Sequence, residues 1–370
     1  MSMLNIYLVG SGVIAKMHAK AAQHLPCANQ VQLHATDISE DARSAFREEF
    51  PEAIVYTQLD EMLQAKPPSP LDIVVVCTPP FAHLEPVRKA LASGRHVLCE
   101  KPLAISSQEA RDMLELAIAK GVHLACCSSR FLGTSTTEKV KQLLSTGALG
   151  ELYHVAFKDV RSRGRSGIEY QPGSRWFLDR SRSGGGVLMD WGPYDFAVLN
   201  DVLQPLSVDI VQAWTANPVT ALDFDETVVN DVEQHAGAVM VYHQADGSRV
   251  TVTYERSACE HGPEMNLALI QGTRGAVEWN WQCFDHSGEV HMYSDEAGAL
   301  VKHSQTLGSE IPLHDRPLLY FYQLLTGVKG HALVDEQSVF NLDCIQAIYH
   351  TARTGHPQKV QWSGRLYDGT

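Results

Sequence analysis

The sequence predicts an α/β protein of two domains. The first is a doubly wound parallel sheet, and the second is an α/β domain on a large, mostly antiparallel open sheet. Three observations predict this. Over residues 1–130, continuously apolar strands alternate with amphipathic helical stretches, which requires a sheet covered on both faces. After about Arg130 the regular stretches are mostly strands of alternating polarity. At 370 residues the chain exceeds what one ordinary core serves. The expected domains are therefore 1–130 and 131–370.

The elements follow in order. "MLNIYLVG" is an apolar strand ending in glycine, and "VIAKMHAKAAQHL" has helical spacing. "VQLHATD" alternates as a strand, and "SEDARSAFREEF" opens a helix with Ser39 as its N-cap. "LDIVVVCT", "RHVLCE" and "VHLACC" are further strands. "PFAHLEPVRKALASG", stopped by Gly94, and "SSQEARDMLELAIAKG" are the helices between them. Beyond Arg130 comes the helix "STTEKVKQLLSTG". "AVMVYHQADGSRVTVTYE" then reads as a hairpin turning at Asp246-Gly247, and helical stretches near 317–327 and 336–353 close the chain.

Composition narrows the function classes. Hydrophobic residues make up 44% and charged residues 20%, as in soluble globular proteins. Thirty basic against 43 acidic side chains give −13, a field that repels phosphate backbones, so no nucleic-acid partner is expected. The longest apolar runs, such as "IVVVC" at 73–77, are strand-sized, so no membrane partner is expected either. The opening residues show no basic leader with a cleavage site. Eight scattered cysteines without a CxxC pair fit neither a zinc site nor a disulfide framework. The expectation is a reduced cytoplasmic location and no metal.

"LVGSGVIAKMHA" carries Gly10, Gly12 and Ala15 as G-x-G-x-x-A at a strand-to-helix turn. Glycines there let the backbone approach a pyrophosphate, and the helix start through Val13 and Ile14 supplies N–H groups and partial positive charge. Asp37 ends the second strand, where it would hold the adenosine ribose hydroxyls and repel a 2′-phosphate. No arginine follows it before Arg43, so NAD is favoured over NADP. A glycine turn used only for packing is the alternative. "CTPPFAH" at 77–83 ends the next long strand, at the sheet edge where such folds bind ligands. Thr78, Pro79 and His83 join the cofactor set there, with a purely structural histidine as the alternative.

"CEKPLA" at 99–104 sets Glu100 and Lys101 at the same edge, beside a bound nicotinamide, and Pro102 permits a cis bond. A surface turn would also explain Lys and Pro in isolation. Residues 161–182 concentrate six arginines in an acidic protein, Arg161, Arg163 and Arg165 alternating among them. Their forks suit an anionic substrate group, with Arg163 as the candidate contact, or intersubunit pairs with Asp and Glu.

With these motifs in hand, the chain resembles the glucose–fructose oxidoreductase / inositol dehydrogenase (Gfo/Idh/MocA) family of NAD(P)-dependent oxidoreductases. The resemblance rests on "GSGVIA", Asp37, "CTPPFAH", "EKPLA", "RF" at 130–131, "GALGEL" at 147–152 and "GGGVLMDWGPY" at 184–194, and covers nearly the whole chain. It implies a Rossmann first domain and a second domain whose open sheet often joins copies into a dimer or tetramer. It places Lys101 by the nicotinamide and the substrate hydroxyl, often with a cis Lys-Pro bond. It also implies a helix after the glycines, on which Asp190 and Tyr194, at i and i+4, share one face. Trp176 matches a tryptophan near the cofactor, and Arg130 falls in the substrate set. Most members carry histidine where this chain has Tyr194. Pro80, Ser128 and Phe177 also depart from the usual asparagine, asparagine and arginine.

The expected chemistry is hydride transfer between a secondary alcohol of a sugar, inositol or related polyol and NAD. The hydroxyl proton must leave as the hydride does. A free phenol, with a pKa of about 10, is a poor base, and a neighbouring ammonium would favour the phenolate. Lys101 and Tyr194 are thus the proton-transfer pair, and Asp190 orients hydroxyls or Lys101. The alternatives are an NAD-retaining enzyme that cleaves glycosides through transient oxidation, and a non-catalytic NAD-binding sensor. For Tyr194 alone, a core residue bridging to solvent is the bland alternative.

Overall fold

The computed structural model describes residues 3–162, 172–218, 229–284, 287–308 and 311–363. Among these the chain divides into two compact units, Met1–Arg130 with Ile311–Val339, and Phe131–Glu310 with Phe340–Gly364.

The first unit is built on six parallel strands: β1 Leu4–Val9, β2 Val31–Thr36, β3 Ile54–Tyr56, β4 Ile73–Val76, β5 His96–Cys99 and β6 Leu124–Cys126. Their order is β3-β2-β1-β4-β5-β6, the doubly wound arrangement. Each residue of β4 is fully buried, as a continuously apolar strand between two helical layers must be. Helices α1 Val13–Ala22, α2 Glu40–Glu49, α3 Leu59–Gln64, α4 Leu84–Ala92 and α5 Ser107–Lys120 connect the strands. Ser39 caps α2 by accepting from the Ala42 N–H, and Gly121 ends α5 at φ 65°. The strand order reverses between β1 and β4. The glycine turn after β1 and the Thr78–Pro79 turn after β4 flank that point.

One sequence expectation needs correction. Residues 311–339, assigned above to the second domain, belong to the first unit. Helix α9 Arg316–Leu325 buries Leu318 and Phe321 in the core shared by Leu4, Ile6, Leu8 and Ile73. Val334 bridges Ala125, and the Asp335 carboxylate accepts the Leu124 N–H at 3.0 Å. The first core needs this returning segment to close it.

The second unit carries nine strands: β7 Leu152–Val160, β8 Ser207–Ala216, β9 His235–His243, β10 Arg249–Ser257, β11 Met265–Gly272, β12 Gly275–Trp279, β13 Ser287–Glu296, β14 Ala299–Gly308 and β15 Gln358–Gln361. They run β14-β13-β12-β11-β7-β10-β9-β8-β15, and every pairing is antiparallel except β7 with β10. The hairpin between β9 and β10 turns at Gly247, φ 85°. Along β10, Val250, Val252, Tyr254 and Arg256 are buried on one face. Onto that face pack α6 Ser135–Ser145 and α8 Val187–Leu203, the latter through Phe196 against Tyr254 at 5.3 Å. The opposite face leaves Val239, Val241, Leu267 and Leu269 half-buried. Trp214, 39% exposed, lies across Gly237. The remaining helices are α7 Arg180–Ser183 and α10 Asp335–Thr354.

Candidate active site

The glycine turn of the first unit is shaped by two different needs. Gly10 sits at φ 93°, and a Cβ there would stand 3.0 Å from the Cys77 carbonyl oxygen, so the fold itself demands glycine. Gly12 is the N-cap of α1 at φ −74°; no side chain caps the helix, and a Cβ would meet nothing within 4 Å. Ser11 and Asp37 tie the turn to the end of β2. The Asp37 carboxylate accepts from Ser11 N at 2.8 Å and from Ser39 N at 2.9 Å. The Arg43 guanidinium donates to the Asp37 carbonyl and pairs with Glu40. An open helix start, with room beside Gly12 and a carboxylate at the next strand end, fits a dinucleotide: amides for the pyrophosphate and an acid for the ribose. Val13 is 74% exposed, and Ile14, Thr78 and Pro79 are half-buried.

His83 is different. It is fully buried, with Nε2 2.7 Å from the Thr78 carbonyl and Nδ1 3.3 Å from the Leu103 carbonyl, and burial pushes its pKa down. The ring is completely enclosed and clasps the β4 turn to the Lys-Pro loop.

Two further expected site residues meet at the Lys-Pro loop. Glu100 and Arg130, assigned to cofactor and substrate, are buried together, with Arg130 Nη2 2.8 Å from Glu100 Oε1. His18 Nε2 stands 2.9 Å from the same oxygen, and Glu100 Oε2 accepts the Lys101 backbone N–H at 3.1 Å. Burial alone would raise the Glu100 pKa, but Arg130, His18 and Lys101 outweigh it and hold the carboxyl far below its ordinary range. These two residues therefore anchor the loop from beneath. Lys101 itself is half-buried, and its bond to Pro102 is cis. His18, Glu100 and Cys127 offer ligand atoms within 4.8 Å of one another. Arg130 already holds the Glu100 oxygen that a cation would need, and burial raises the Cys127 pKa well above its ordinary value.

In the second unit the glycine run forms an elbow, Gly184 at φ 81°, that feeds α8. Asp190 lies in the first turn, half-buried, and Tyr194 follows one turn later at 4% exposure. The Tyr194 ring meets Phe131 edge-on at 5.0 Å and Trp191 at 5.7 Å. Trp176, half-buried, stacks on Phe177 at 3.8 Å. Arg163 and Arg165 lie outside the described residues. Arg161 pairs with Asp159 at 3.0 Å, and Arg180 donates to the Asp231 carbonyl at 3.3 Å.

Several residues escaped the sequence reading. Directly after Tyr194, fully buried Asp195 accepts from Tyr254 Oη at 2.7 Å and from Arg256 Nε at 3.0 Å. Arg256 also pairs with Asp159 and lies over Trp191 at 5.2 Å. This buried ladder fixes α8 to β7 and β10. Glu233, 3% exposed, reaches the amides of Gly186 and Leu188. Arg256 offered one weak signal, a charged residue on the apolar face of an alternating strand. Glu233 offered none.

Fold and site together define a two-unit oxidoreductase with a dinucleotide cradle in its first unit. A model of the GFO/IDH/MocA oxidoreductase family, with an NAD-binding Rossmann fold, matches residues 4–127. The C-terminal domain model of the same family matches 137–278. D-glucoside 3-dehydrogenase of Escherichia coli (strain K12) is 26% identical over 371 residues, 96% of this chain and 97% of its own. An uncharacterised oxidoreductase of Streptococcus pneumoniae serotype 4 is 31% identical over 305 residues, 82% of this chain and 75% of its own. Levoglucosan dehydrogenase, crystallised with NADH and L-sorbose, shares the fold. Its TM-score is 0.74 at 17% identity, over 97% of this chain and 99% of that one. The chain belongs to the GFO/IDH/MocA family of NAD-binding oxidoreductases.

Proposed function

We propose that the protein is an NAD-dependent dehydrogenase that oxidises a secondary alcohol of a sugar, glycoside or related polyol. One observation carries this reading: α8 sets Asp190 and Tyr194 one turn apart, directly beyond the glycine elbow, in a chain whose other unit bears the NAD cradle. NAD, held at the α1 amides and Asp37, would supply the hydride acceptor for the carbinol carbon. The chain's part is the proton. Tyr194 accepts it from the substrate hydroxyl, or returns it in the reverse direction, the Lys101 ammonium stabilises the negative charge that develops on oxygen, and Asp190 orients the neighbouring hydroxyls. The resemblance to D-glucoside 3-dehydrogenase makes the 3-hydroxyl of glucosides the first to try. Asp37 and the α1 amides hold the dinucleotide, with Trp176 assigned to it as well. A homo-oligomer through the outer face of the nine-stranded sheet belongs to the same proposal, to be read from the mass of the purified protein in solution.

The test is absorbance at the reduced-nicotinamide band with NAD and a panel of glucosides, free sugars and inositols. Lys101→Ala is expected to lower the rate about 10²–10⁴-fold, with NADH still bound. Unchanged turnover in that variant would remove Lys101 from the chemistry. Glycoside cleavage without net NAD reduction would replace the dehydrogenase reading altogether.

A further inference from the structure

We propose that Glu233, backed by Tyr349, is a positioning residue for the Asp190–Tyr194 pair. Its buried carboxylate serves as the missing N-cap of α8 and fixes where that helix begins. The proposal rests on the reading of Asp190 and Tyr194 given above.

Helix α8 has no cap of its own, because Gly186 stands at the N-cap position without a side chain. The first amides of a helix need acceptors, and buried ones need them most. Glu233 meets three in succession. Its carboxylate accepts from Gly186 N at 2.9 Å and from Leu188 N at 3.1 Å, and its own carbonyl accepts from Val187 N at 3.0 Å. A carboxylate also suits the positive end of the helix dipole. Tyr349 Oη donates to Glu233 Oε1 at 2.6 Å, and Arg180 Nη2 lies 3.5 Å from Oε2. The carboxylate is thus held from both sides.

The glycines are the steric counterpart of this cap. A Cβ on Gly186 would sit 1.7 Å from the Glu233 carbonyl oxygen, and one on Gly185 would sit 2.1 Å from Tyr349 Oη. The run is glycine so that the Tyr349 side chain and the backbone strap bearing Glu233 can close on the elbow. The link to the reacting groups is short. The Asp190 N–H donates to the Gly186 carbonyl at 3.0 Å, the first bond of the helix ladder, and Tyr194 follows one turn on. An error at the cap passes straight to both side chains. A misplacement of about 1 Å is enough to lower a rate by about 10²-fold.

The test uses the full-length protein and two variants. Glu233→Gln keeps the size and the Oε1 acceptor, removes the negative charge at the helix start, and sets an NH₂ group in place of Oε2 against the Gly186 N–H and the Arg180 guanidinium. Tyr349→Phe keeps all the backbone contacts and removes only the supporting hydroxyl. Amide exchange across residues 186–194 requires no substrate, so it stands or falls independently of the sugar reading. Expected for Glu233→Gln is exchange at least about tenfold faster in the first turn of α8, with α1 unchanged and NADH affinity within about twofold of the wild type. On any sugar that the wild type oxidises, kcat falls about tenfold or more while KM moves less. Wild-type exchange in the first turn would overturn the cap, and faster exchange with unchanged kcat would overturn the positioning role. If Glu233→Gln does not fold, Tyr349→Phe decides. A fall in kcat at native melting temperature supports the proposal, and wild-type kcat overturns it.

Discussion

The chain makes two glycine-rich turns into helices, and they use glycine for opposite ends. At Gly12 the place of a side chain is open, with nothing within 4 Å, and no side chain caps α1. At Gly186 the same place is taken by the protein's own backbone, and Glu233 caps α8. The first turn leaves its helix start open. The second gives its helix start to a distant residue of the chain, so that the helix cannot wander. Glycine in a motif therefore says only that something comes close. Which partner comes close is settled by what fills the space.

The strongest way to break this comparison is Gly186→Ala. A methyl group 1.7 Å from a backbone oxygen cannot be accommodated by a rotamer change, so the strap or the helix must shift. Overpacking of this severity is expected to destabilise by at least about 3 kcal/mol. Soluble Gly186→Ala protein with a wild-type melting curve would show that the elbow is not closed as described.

Much of the first unit was legible because local signals carry it. Apolar strands such as Ile73–Val76, the Ser39 cap and the G-x-G-x-x-A turn each need only a few consecutive residues. The Asp246-Gly247 turn is local for the same reason. What stayed hidden depends on contacts far apart in sequence. Glu233 lies 47 residues beyond Gly186 in no recognisable motif, and Leu318 joins a core whose other members lie mostly before residue 130. His83, Glu100 and Arg130 show the same limit. Their chemical types suit a site, and only the structure shows the partners among which they are buried.

Acid separates the two units next. In the first, burial pushes the pKa of His34 down to about 4 from an ordinary 6.5, and His83, His96 and His314 are also lowered, chiefly by burial. A histidine with a depressed pKa in the fold supports stability above pH 6.5 and loses that support as the pH falls. For His34 the loss is complete below about pH 4 and is on the order of 3 kcal/mol. His123, raised by its bond to Asp335, opposes this in part. In the second unit, burial raises Asp195 and Glu233 against the hydrogen bonds that lower them. Carboxyls raised in the fold add stability as the pH drops. From pH 6.5 to 4.5 the first unit should therefore weaken before the second. All six tryptophans, at 176, 191, 214, 279, 281 and 362, lie in the second unit. Native tryptophan emission should thus persist while amide exchange in β1 and β2 accelerates. Simultaneous loss of both signals would contradict the contrast.

The smallest expected effect is the most selective. Gly12 has φ −74° and ψ −165°, a conformation that alanine adopts without strain. Gly12→Ala should leave the melting temperature unchanged or raise it slightly, by the equivalent of about 0.4–1 kcal/mol, because alanine restricts the unfolded chain. The added methyl would stand where the pyrophosphate approaches the α1 amides, so NADH should bind about tenfold more weakly, or about 1.4 kcal/mol. Gly10→Ala, at φ 93° and 3.0 Å from the Cys77 carbonyl, should lose stability as well as affinity. Two glycines two residues apart would then separate cleanly, one serving the fold and the other the ligand. Equal NADH affinity in Gly12→Ala and the wild type would mean that the pyrophosphate lies elsewhere, and the two glycine turns would lose their distinction.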